Sequence, residues 1–167
     1  MLFNLITGAV VGLASASLIY ILHFAEVLRT PLGGQLLLLA ILFLTSGLLT
    51  ALMRHRVREP EIAFGRLLGA GLAISMVAGL VLAIGSYVFT TTVDPTYLDF
   101  IRERSLEQLS QMDLPVEERA ANEAQIAAIN PSGYAMQGLF GTLVTGFLLS
   151  MTISAFLRMR VVRATQQ

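Results

Sequence analysis

Few side chains in this 167-residue chain combine reactive chemistry with useful spacing. His23 and Glu26 stand three apart, which puts both on one face of a helix. An imidazole and a carboxylate so placed could begin a metal site or pass a proton. A zinc site needs three or four protein ligands, so an interfacial polar pair is the expected role. His55 sits inside Arg54-His55-Arg56-Val57-Arg58. A basic cluster beside a membrane can engage anionic headgroups or simply fix orientation, and orientation alone is expected here. Gly65, Gly69 and Gly71 imitate a phosphate loop, but no strand precedes them and no lysine-serine pair accompanies them, so the match is spurious. Thr142, Thr145, Ser150, Thr152 and Ser154 string hydroxyls along the last apolar stretch. Bonds back into their own helix, or across to a neighbour, are the expected use.

Several chemistries are excluded or weakened. The chain has no cysteine, so it can form no disulfide, thiol nucleophile or thiolate metal site. Its net charge is zero, which leaves no global field to recruit nucleic acid. No Asp, Glu, Arg or Lys lies in the middle of an apolar stretch, where proton relays and ion pathways usually place one. No nucleophile, base and oxyanion donor converge. The chain is therefore expected not to be an enzyme, with no catalytic, cofactor-binding or metal residues and no cofactor.

The elements that must position these residues are set by segregation of charge. Apolar residues make up 55% of the chain and charged ones 13%, against roughly 25% charged in soluble domains. Residues 2–25, 30–53, 67–93 and 124–157 carry no Asp, Glu, Arg or Lys. About 20 apolar residues span a bilayer core, and backbone groups in lipid must be satisfied within the segment, which demands helices. The expected fold is all-α: a polytopic four-transmembrane-helix bundle, one membrane domain, with spans at about 2–24, 35–53, 64–92 and 132–157. The first span has no basic residue before its apolar run, so a retained helix is preferred to a cleaved signal peptide.

Orientation follows from arginine, the only basic residue type besides histidine. Arg54, Arg56, Arg58 and Arg66 flank the second connection, and Arg158, Arg160 and Arg163 fill the tail. Basic residues near spans stay cytoplasmic, which places both termini inside. Residues 94–123 hold eight acids and three arginines and belong outside. There Asp94-Pro95 reads as a helix start, as does Asp113-Leu114-Pro115. Residues 94–130 should form an extracytoplasmic amphipathic hairpin of two helices, ended by Asn130-Pro131.

Two sets of residues are candidates for contacts. Small residues recur every four positions: Gly8, Gly12 and Ala16; Gly71, Ser75, Gly79 and Ala83; Gly138, Thr142, Gly146, Ser150 and Ser154. Small stripes let helix backbones approach closely in lipid, so these are the expected helix-packing residues, within the bundle or in a homo-oligomer. Leu98, Ile101, Leu109 and Met112 form an apolar face on the first outer helix. It either packs on its neighbours or docks a membrane or periplasmic protein partner.

At Ile62-Ala63-Phe64-Gly65-Arg66-Leu67-Leu68-Gly69 the chain resembles the bacterial membrane family catalogued as domain of unknown function 4199. The likeness covers nearly the whole chain. It implies four spans, a phenylalanine-glycine-basic approach to the third, an acidic helical outer segment, and a proline opening the fourth, here Asn130-Pro131. It also implies a bacterial inner membrane location, and supplies no activity or functional residues. The expected function is a non-catalytic membrane protein that assembles with or regulates another envelope component. A small transporter or channel component for a neutral or weakly polar solute is the alternative.

Overall fold

The first apolar stretch forms α1 (Leu2–Phe24), unbroken because no charge or proline interrupts it. This is a computed structural model that describes the backbone of residues 2–164 and side chains through residue 157. The tail arginines Arg158, Arg160 and Arg163, on which the orientation partly rests, have side chains outside the described residues. Helix α1 closes with Glu26 at φ 60°. The Glu26 amide donates to the His23 carbonyl and the Val27 amide to that of Leu22, the paired bonds that end a helix on a left-handed residue.

The second span begins earlier than 35. Gly33 and Gly34, expected in the connection, lie inside α2 (Pro31–Leu36). The reason is local. Thr30 caps this helix by accepting from the Gly33 amide at 3.2 Å, and Pro31 occupies its first position, where no amide hydrogen is needed. Gly33 must be small, since a Cβ there would fall 2.7 Å from the Leu28 carbonyl oxygen. After a turn the span continues as α3 (Leu39–Arg58).

Helix α4 (Phe64–Val88) runs into a π-helical turn, Phe89–Val93. Then come α5 (Tyr97–Ser110) and α6 (Val116–Ala127), which contact each other. Helix α7 (Pro131–Ala164) is longer than the span expected at 132–157. Its start is set by Asn130, whose Oδ1 accepts from the Gly133 amide at 2.8 Å.

Four helical segments, α1, α2 with α3, α4 with the π-turn, and α7, are long and apolar enough to cross a membrane. Helix α4 is the central member, packed most extensively on α7 and α1. Leu48, Ala51, Leu52 and Ile74 are fully buried between the helices. Large apolar side chains such as Leu13, Ile84, Phe140 and Val144 face outward. A soluble protein would bury such a surface, whereas lipid solvates it.

Candidate functional site

The most concentrated polar chemistry lies where α1, the α1–α2 connection and the end of α4 meet. The π-turn carries Phe89 into full burial and delivers Asp94, 5% exposed, beside it. Arg29 Nη2 donates to both Asp94 carboxylate oxygens, at 2.7 and 2.8 Å, and to Thr96 Oγ1 at 2.6 Å. Thr96 Oγ1 lies 2.8 Å from Asp94 Oδ1, and His23 Nδ1 lies 3.4 Å from Oδ2. Burial pushes the Asp94 carboxyl up. The hydrogen bonds from Arg29 and Thr96, with the charges of Arg29 and His23, outweigh that and hold it below its ordinary 3.8.

Aromatic rings wall this clamp. Phe89 takes edge-on contacts from Tyr20, His23 and Tyr97, with ring centres 5.2–5.4 Å apart. Tyr97 meets Tyr134 of α7 in the same way at 6.1 Å, so the cluster ties three spans and α5 together. Burial raises the Tyr97 phenol well above its ordinary 10.0, and neighbouring Tyr134 and the Asp94 charge add to this. The hydrogen bonds that Arg29 and Thr96 give this carboxylate tie the approach to α5 to the α1–α2 connection.

The expected roles change accordingly. Asp94 does not cap α5: the helix starts at Tyr97, and its preceding residue Thr96 makes no side-chain cap. The carboxylate is taken by Arg29 instead, in a bond between two charged groups. The carboxylate beside His23 is likewise Asp94, not Glu26. Sequence reasoning missed this pairing, although spans one and three must end on the same side, which brings Arg29 and Asp94 to one end. Among the described residues no group of three His, Asp or Glu is arranged to hold a metal.

The small residues meet at two seams. Toward α1, a Cβ on Gly8 would fall 2.6 Å from the Ile74 carbonyl oxygen, and one on Gly12 2.7 Å from that of Ala78. Ala16 packs on Gly85, which lies outside the four-residue stripes. Toward α7, Gly71 lies under Ser150, Gly146 lies under Ser75, and Gly79 faces Leu139 and Thr142. The two glycine-serine pairs are reciprocal. Ser75 donates back to the Gly71 carbonyl at 2.9 Å, while the buried hydroxyls of Ser150 and Ser154 have no hydrogen-bond partner among the described residues. Gly138 departs from the pattern: a Cβ there would meet nothing within 4 Å. It lines a recess of about 210 Å³ with Ser15, Thr142 and Thr145. Ala83 is only half-buried.

The apolar face of α5 is largely covered. Leu98 and Leu109 are buried, and Ile101 packs on the Phe89–Tyr97 cluster, which leaves Met112 exposed. Those four therefore form no open docking patch, because α6 and the bundle end bury most of their area. Helix α6 has no buried residue and turns Glu117, Glu118 and Glu123 outward. Arg102 steadies the unit by bonding Asp99 at 2.5 Å and the Ile129 carbonyl beyond α6.

Four apolar helices, closed at one end by an ion pair between a buried aspartate and an exposed arginine, define a multi-pass membrane protein of helical-bundle type. Within that class the chain belongs to the family described as Protein of unknown function (DUF4199), which it matches over residues 3–159. No curated protein and no solved structure matches it. The resemblance carried by residues 62–69 thus identifies the family.

Proposed function

We propose that this chain is a non-catalytic protein of the bacterial inner membrane that presents α5 and α6 to another envelope component. In this reading both termini are cytoplasmic, and α5 and α6 form a hairpin on the outer side. The observation that carries it is the Arg29–Asp94 clamp, which mounts α5 rigidly on the bundle. Rigid presentation favours recognition because less ordering entropy is lost on binding. The offered surface is acidic: apart from the buried Asp94, residues 95–130 carry seven acids and three arginines, so it complements a basic partner surface.

The test is site-specific crosslinking in native membranes from a cysteine at Glu118. A single partner, joined through a basic segment and lost in Glu117→Lys/Glu123→Lys or at high salt, supports the proposal. Crosslinks that ignore both charge and salt sink it. The transport reading draws on the 210 Å³ recess, room for several waters at about 30 Å³ each. Uptake by proteoliposomes that Gly141→Leu abolishes would favour that reading instead.

A further inference from the structure

At the opposite end of the bundle, the last turn of α3, the α3–α4 connection and the first turns of α4 enclose a second polar recess. It has a volume of about 480 Å³, with Arg58 and Arg66 at its mouth and Asn4 and His55 on its wall. His55 Nε2 and Asn4 Oδ1 lie 2.8 Å apart, which joins α3 to α1 behind the arginines. Below the mouth the lining changes to Gly69, Ala70 and Ala73.

We propose that this recess binds an anionic phospholipid, with its phosphodiester at Arg58 and Arg66 and an acyl chain along Gly69, Ala70 and Ala73. Arg58 has no carboxylate partner among the described residues. Arg66 pairs with Glu59 at 3.2 Å, but the two side chains are 72% and 57% exposed. So exposed a pair contributes little, and a phosphate can compete for the guanidinium in the bidentate manner arginine favours. The start of α4 adds positive potential, because Ala63 supplies no side-chain cap to its free amides.

The floor distinguishes a lipid from a free phosphate. Ala73 lies seven residues beyond Arg66 on a membrane-spanning helix, roughly 10 Å deeper at 1.5 Å per residue. That depth leads from the headgroup layer into hydrocarbon. A Cβ at Gly69 would meet nothing within 4 Å, so the channel is open to an acyl chain. A small soluble anion would use the mouth and ignore the floor.

The experiment titrates detergent-solubilised protein with phosphatidylglycerol or phosphatidylcholine, and reads retained lipid by native mass spectrometry together with the thermal midpoint. Wild type should retain one phosphatidylglycerol in preference to phosphatidylcholine. Arg58→Gln and Arg66→Gln should each weaken retention about fivefold, and Glu59→Gln should strengthen it by removing a competing carboxylate. Gly69→Leu should fill the floor and weaken retention without lowering the midpoint of the lipid-free protein. Arg56→Gln, outside the recess, should change nothing. The proposal is overturned by an equal loss in Arg56→Gln, which means diffuse attraction to the arginine cluster. It is also overturned if phosphatidylcholine is retained as well, or if inorganic phosphate protects wild type and Gly69→Leu alike.

Discussion

Arg29 and Asp94, 65 residues apart in sequence, meet through one guanidinium nitrogen that donates to both carboxylate oxygens. The arginine is 45% exposed and the aspartate 5%, so the partners are not equivalent. Removing Arg29 strands a buried negative charge, whereas Asp94→Asn leaves an arginine that can turn to water. Breaking a fully buried pair costs about 3–5 kcal/mol, and the arginine's exposure reduces that. Arg29→Met should cost about 2 kcal/mol, more than Asp94→Asn, in thermal unfolding in detergent. Equal losses would mean that the clamp is a surface pair.

The clamp also sets a pH response. The Asp94 carboxyl is held below 3.8 when folded, so its contribution is complete above 3.8 and is lost as pH falls through the folded value. The Tyr97 phenol is raised above 10.0, so its contribution is present below 10.0 and declines as pH rises beyond it. Asp94→Asn should flatten the acid limb of the stability profile and, by removing a charge that helps raise the Tyr97 phenol, trim the alkaline one slightly, whereas Tyr97→Phe should flatten the alkaline limb alone. An acid limb flattened by Tyr97→Phe, or left intact by Asp94→Asn, contradicts these assignments.

The spans were legible in the sequence because lipid imposes a coarse rule: long runs without charge must be helices. Asp94 was not, because periodicity reports neighbours three or four residues away and is blind to Arg29. The small-residue stripes were legible in part, for a geometric reason. At 3.6 residues per turn, a strict four-residue stripe rotates about 40° at each step. Two steps from Gly146 carry Gly138 off the contact face and into the recess. One step from Gly79 carries Ala83 to a half-buried position, while Gly85 makes the approach to Ala16.

That rotation separates glycines that look alike in sequence. Gly146→Ala puts a methyl against Ser75, and overpacking of this kind costs about 1–3 kcal/mol. Ser75→Gly in the same chain should recover part of the loss, because the collision is between those two side chains. Gly138→Ala meets open space and should be neutral, or stabilising by up to about 1 kcal/mol through helix propensity. Unfolding of the three variants in detergent checks this. Equal effects at 138 and 146 would remove the distinction.

The last prediction concerns orientation, where Arg29 looks at first like a contradiction. It lies at the same end as α5 and α6, on the side the proposal places outside, although arginines favour the cytoplasm. Its charge is nevertheless balanced at short range by Asp94, so in the proposed orientation it would lie outside as half of a neutral pair. Arg54, Arg56 and Arg58 at the other end have no carboxylate partner among the described residues, and the proposed orientation takes them as its retention signal. Since the chain has no native cysteine, single cysteines report each side cleanly. In intact spheroplasts a cysteine at Gln111 should react with an impermeant maleimide, and one at Glu61 should react only after lysis. Arg54→Glu/Arg56→Glu/Arg58→Glu should yield a mixed population. Asp94→Asn, which leaves Arg29 uncompensated, should shift orientation in the same direction but less. If Glu61 labels in intact cells and Gln111 does not, the inside-outside assignment is reversed, and the proposed presentation of α6 to an outer partner falls with it.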